Sequence, residues 1–78
     1  MNYIATFYTH AAALLTDRAL KKASVSSKLG PVPRKLSSSC GTCVRYSADT
    51  SMLSCMDQDV ETVYLILPDD YKVLMHRE

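Results

Sequence analysis

Thr50-Ser51-Met52-Leu53-Ser54-Cys55-Met56-Asp57-Gln58-Asp59 decides the fold, because every stretch on either side of it reads more plainly. Met52, Leu53 and Met56 fall on one side of a helix, and Ala48-Asp49-Thr50 just before them offers a cap. The spacing predicts a second helix of about ten residues over 50–59, burying those three side chains, although its brevity and its serines weaken it.

Downstream, Thr62 to Leu67 (TVYLIL) is a continuous apolar run, as expected of a central strand covered on at least one face. Pro68-Asp69-Asp70 has turn chemistry, and Tyr71 to Met75 (YKVLM) reads as a last strand pairing back as a hairpin. Upstream, Thr42 to Tyr46 (TCVRY) alternates and reads as a third strand. Lys28 to Val32 is a second strand that Gly30 and Pro31 confine to an edge or a bend. Ser24 to Ser27 is a short polar turn.

At the start, Tyr3 to Tyr8 (YIATFY) is β-branched and aromatic, the pattern of a mostly buried strand. Thr9 is a plausible N-cap for a helix over 10–23 that contains neither Gly nor Pro. Ala12, Leu15, Ala19 and Ala23 are predicted to form its buried face. Lys21 and Lys22 suit the negative end of the helix dipole. The order is β-α-β-loop-β-α-β with an extra C-terminal strand. This is an α/β (α+β) chain, for which a two-layer sandwich of the ferredoxin-like βαββαβ kind is the natural expectation.

Bulk composition agrees. Seventy-eight residues allow one small domain, expected over 1–78, with a thin margin of stability. A hydrophobic content of 47% requires a packed core; with no Trp and a single Phe, aliphatic residues must fill it. The five tyrosines, at 3, 8, 46, 64 and 71, are expected to edge that core. Nine Lys and Arg against eight Asp and Glu give a net charge of +1, no footprint for nucleic acid. No run approaches a membrane span and none reads as a signal peptide, so the expectation is a cytoplasmic protein that meets neither membrane nor nucleic acid. No cofactor is expected.

Between the second and third strands lies Pro31-Val32-Pro33-Arg34-Lys35-Leu36-Ser37-Ser38-Ser39-Cys40-Gly41-Thr42-Cys43, the least globular part of the chain. A cysteine reacts as thiolate, and its acidity rises where backbone N–H groups and cations surround it. Gly41 allows a positive φ, so successive N–H groups can converge on an anion. Arg34 and Lys35 add charge, and Ser37, Ser38 and Ser39 add hydrogen-bond donors. A thiol so placed can carry sulfur or selenium as a persulfide anion. The plain alternative is a mobile, serine-rich loop whose cysteine is incidental.

Cys40 and Cys43 also form a C-x-x-C, the spacing of a reversible disulfide or of half a zinc site. Cys55, His10 and His76 are the other N/S candidates, and their spacing fits no zinc signature. Cys55 reads as a small buried hydrophobe, His10 as a surface or capping residue, and Asp69-Asp70 as a turn.

Pro31-Val32-Pro33-Arg34 followed by Ser37-Ser38-Ser39-Cys40-Gly41 resembles the signature of the selenium/sulfur carrier protein-like family, small bacterial proteins. The Tyr3–Phe7 strand and the Ala/Leu-rich helix after it are similar too. The resemblance implies that Cys40 holds the chalcogen, that Ser39 and Gly41 shape its surroundings, and that Arg34 orients the loop. It implies a stoichiometric carrier rather than an enzyme, with a donor such as a cysteine desulfurase and an acceptor protein as partners. Cys43 stands where the family often has an apolar residue, which leaves open a single thiol or a pair. Ser38 joins Arg34, Ser39 and Gly41 as an expected anion-binding residue. Two further readings stay open: a dithiol redox protein using Cys40 and Cys43, and a non-catalytic interaction module. The weakened edge strand would also suit a homodimer contact.

Overall fold

The computed structural model describes residues 1–77. Its elements are β1 (Asn2–Phe7), α1 (His10–Lys22), β2 (Ser26–Pro31), β3 (Thr42–Ser47), β4 (Val60–Ile66) and β5 (Tyr71–His76). The strands form one sheet in the order β2-β3-β1-β4-β5, every neighbouring pair antiparallel. β1 and β2 therefore run parallel with β3 between them, and α1 is the crossover that joins them. β2 lies at the edge, as Gly30 and Pro31 required.

The expected second helix does not form. Residues 48–59 are an irregular connection with a single 3-10 turn, Leu53–Cys55. The chain is thus mixed α+β with one helix and a five-stranded antiparallel sheet, and the βαββαβ expectation is corrected. The cause is local. Met52 adopts a left-handed conformation (φ 53°) that no α-helix accepts. The Ser51 carbonyl, which an α-helix would offer to the amide of Cys55, accepts instead from the Tyr46 hydroxyl. The Cys55 amide falls back on the Met52 carbonyl at 2.9 Å. Short polar side chains capture two further amides: Asp59 N–H donates to the Asp57 carboxylate, and Asp57 N–H to Thr16 Oγ1 of the helix at 3.0 Å.

Helix α1 packs on β2, β3 and β1 through Ala12, Ala13, Thr16, Asp17 and Leu20. Of the predicted face, Ala12 is buried and Ala19 half-buried, but Leu15 is 53% exposed and Ala23 is also exposed. Two polar side chains sit on the true face because each finds a partner. Thr16 accepts from Asp57 N–H, and Asp17 accepts from Ser27 Oγ of β2 at 2.8 Å while pairing with Lys21 at 2.8 Å. Thr9 caps the helix, its side chain accepting from Ala12 N–H at 3.1 Å.

The core against the helix consists of Tyr3, Ala5 and Phe7 of β1, Val44 and Tyr46 of β3, Val60 and Val63 of β4, and Ala12, Ala13 and Leu20 of α1. Met52, Cys55 and Met56 close it from the 48–59 connection. Tyr3 and Tyr46, cross-strand partners, stack with centroids 5.1 Å apart, inside the core rather than at its edge. On the other face of the sheet Ile4, Thr6 and Cys43 are also fully buried.

Candidate functional site

The segment joining β2 to β3 carries the candidate residues. It is pinned at both ends. Val32 N–H donates to the Gly41 carbonyl at 3.2 Å, prolonging the β2–β3 ladder by one pair. Leu36 N–H donates to the Pro33 carbonyl at 3.0 Å, closing a turn that leaves Arg34 and Lys35 exposed. Ser38 Oγ donates to the Phe7 carbonyl at the end of β1, 3.1 Å away. Ser39 donates twice to the Glu61 carboxylate, from its N–H at 3.3 Å and its hydroxyl at 3.5 Å.

Glu61 is the residue that sequence reasoning missed. It is the extra residue of a β-bulge: Thr6 faces Thr62 and Phe7 faces Val60, so Glu61 has no opposite number on β1. The signal was present, since Glu61 is the lone carboxylate in an apolar strand, but the strand was expected to begin at Thr62 and begins at Val60. Three donors expected for an incoming anion are therefore engaged by the chain itself: Ser39 N–H and its hydroxyl by the Glu61 carboxylate, and the Ser38 hydroxyl by the Phe7 carbonyl.

Cys40 follows directly. Its thiol is free and half-buried, packed against the core, with Sγ 3.5 Å from the Thr42 carbonyl. Gly41 adopts the left-handed conformation expected of it, φ +73°. Thr42 opens β3 and its Oγ1 lies 3.1 Å from His10 Nδ1 at the start of α1. The cysteine loop, the end of the sheet and the first turn of the helix are thus tied together. Arg34 forms no ion pair among the described residues; the only such pair is Lys21–Asp17.

Cys43 has a different environment. It is fully buried, its Sγ donating to the Pro31 carbonyl at 3.4 Å. Burial pushes this thiol up from its ordinary range, and the nearby Arg45 guanidinium offsets only part of that. Cys55, in the 3-10 turn rather than a helix, is half-buried and packed on the core. All three cysteines are free thiols. Among the described residues no three His, Cys, Asp or Glu side chains come close enough to hold a metal. His76 instead meets Thr62 Oγ1 at 2.8 Å. No helix among the described residues is long and apolar enough to cross a membrane.

Fold and site together define a small α+β protein that presents one free cysteine from a loop anchored to the sheet. The chain belongs to the family described as Putative Se/S carrier protein-like, whose pattern matches residues 2–59, from β1 through the cysteine loop to the residue before β4. That description is of a carrier rather than an enzyme. No curated protein and no solved structure gives a significant match.

Proposed function

We propose that this protein is a sulfur or selenium carrier that holds the chalcogen on Cys40 as a persulfide or perselenide and hands it to an acceptor protein. The observation that carries the reading is the contrast between two thiols: Cys40 is free, half-buried and set beside a positive-φ glycine on an anchored loop, whereas Cys43 is sealed in the sheet. Family membership supports the cargo class.

The exchange is balanced without an external oxidant. The Cys40 thiolate attacks the terminal sulfur of a donor enzyme's persulfide. A new S–S bond forms to Cys40, the donor's S–S bond breaks, and the donor leaves as thiolate. The acceptor's nucleophile then takes the terminal atom and Cys40 is regenerated. Ser38, Ser39 and Gly41 shape the anion's surroundings and Arg34 adds positive charge at the loop turn. Cys43 serves as a packed neighbour of the loop. The chain acts as one cytoplasmic domain, and a cysteine desulfurase suits the donor's role.

Intact-mass spectrometry tests this. The wild type, Cys40→Ser and Cys43→Ser are incubated with a cysteine desulfurase and either cysteine or selenocysteine. The reading expects a gain of one sulfur or selenium atom that vanishes with Cys40→Ser and survives Cys43→Ser. A loss of two hydrogens requiring both cysteines, with no chalcogen gained, would replace it with the dithiol reading. No change at all would leave an interaction module.

A further inference from the structure

The face of the sheet turned away from α1 carries a feature that the cysteine loop does not use. Strand register places Lys28, Arg45, Ile4, Tyr64 and Val73 in one row across all five strands. Lys28 and Arg45 are direct cross-strand partners, and both are exposed. Like charges placed opposite each other across an antiparallel pair destabilise it unless something neutralises them. Among the described residues no carboxylate forms an ion pair with either. Within the five strands the one carboxylate is Glu61, which holds Ser39. The one ion pair among the described residues lies on the helix. Asp69 and Asp70, in the β4–β5 turn, share a separate cleft with Lys35.

Donors and apolar surface surround the two cations. A cleft here is lined by Asn2, Ser26, Lys28, Arg45, Ser47 and Ile66. The row then passes Ile4, which is fully buried and offers no surface itself, to Tyr64, which meets Tyr71 edge-to-face at 6.1 Å, and ends at Val73, 54% exposed on the far edge strand. Four inter-strand spacings make this row about 19 Å long. That is far more than one small anion fills, and it matches about six residues of extended peptide. Arginine and tyrosine beside exposed aliphatic surface is also the make-up of a protein interface.

We propose that this face docks an acidic segment of a partner polypeptide, its carboxylates on Lys28 and Arg45 and its apolar side chains on Tyr64 and Val73. In the carrier reading the partner is the donor or the acceptor. The binding test uses no chalcogen, so either proposal can fail without the other.

The experiment titrates the full chain, labelled with nitrogen-15, with a capped octapeptide of glutamates interrupted by one leucine and one tyrosine. Its glutamine counterpart and inorganic phosphate are the controls. Amide shifts are expected at Ser26, Lys28, Arg45, Ser47 and Tyr64, with the glutamine peptide silent and binding weaker as salt rises. Lys28→Glu should weaken binding at least tenfold while raising the melting temperature by a few degrees, because it turns a repelling pair into an attracting one. Lys28→Arg should bind as wild type does. Shifts confined to Arg34-Lys35 or Lys21-Lys22, no shifts, or displacement of the peptide by phosphate at equal concentration would each overturn the proposal. A binding loss accompanied by a lower melting temperature would also count against it, since the repulsion would then not exist.

Discussion

Gly41 is where the shape of the cysteine loop is set. Its φ of +73° lies in the region that a side chain disfavours, yet a Cβ built there would meet no atom within 4 Å. Substitution therefore changes backbone strain and nothing else. Gly41→Ala should cost about 1 kcal/mol, read as a fall of about 4–8 °C in melting temperature for a domain of this size. Gly41→Asn should cost less, because asparagine tolerates this conformation better. Gly30→Ala is the control: it also has open space and its φ is not positive, so it should be near neutral. Equal losses at both glycines would remove the backbone explanation. At this scale the position of the loop between β2 and β3 and the positive φ of Gly41 were legible, because three serines, a cysteine and a glycine run together just after Pro31 and Pro33. What Ser39 binds was hidden, because Glu61 reaches it only through a bulge that forms when β1 and β4 pair.

Among the elements, α1 shows how legibility fails at helix ends. The start was readable, since Thr9 caps as its type suggests. The end was not. Val25 N–H donates to the Leu20 carbonyl and Ser24 N–H to the Lys21 carbonyl, the paired bonds of a Schellman motif, with Val25 packed on the core. The position that the motif usually fills with glycine holds Ser24, at φ 63°. A serine between Ala23 and Val25 gives no sign of it. Ser24→Gly should therefore stabilise the protein by roughly 0.5–1 kcal/mol, the strain of a side chain in the left-handed region less the added chain entropy of glycine. Urea unfolding checks this: the midpoint should rise with an unchanged slope. A lower midpoint would mean that Ser24 carries an interaction beyond its backbone. The 48–59 connection failed to read for the opposite reason. Its apolar spacing suits a helix, but the Tyr46 hydroxyl and Thr16, brought near only by the folded sheet and α1, satisfy its backbone in another shape. Tertiary partners overrode a weak local preference.

For the molecule as a whole, three buried ionisable groups bound the pH range in which the fold is stable. Burial opposes ionisation of Asp17, but hydrogen bonds from Lys21 and Ser27 and the Lys21 charge outweigh it and hold the carboxyl below its usual value. Below pH ~4 the unfolded chain takes up the Asp17 proton first, so stability falls as pH drops through the folded value. Cys43 and Tyr46 work the other way. Burial, the largest cause for each, raises both above their ordinary values. As pH climbs past about 8.5 for a free thiol and about 10 for a free phenol, the unfolded chain loses these protons while the folded one keeps them, and stability falls again. Urea midpoints should accordingly form a plateau from about pH 5 to 8 and decline on both sides. Cys43→Ala isolates one contribution. It should lower the plateau by leaving a small cavity, and flatten the decline between pH 8 and 10, because the group that favours the unfolded chain there is gone. Asp17→Asn should also lower the plateau, by loosening α1 from β2, and flatten only the acid side. Curves that fall in parallel with wild type at both ends would show that neither group is coupled to folding. A flattened alkaline side in Cys43→Ala would show that the buried thiol gives up its proton only as the sheet unfolds.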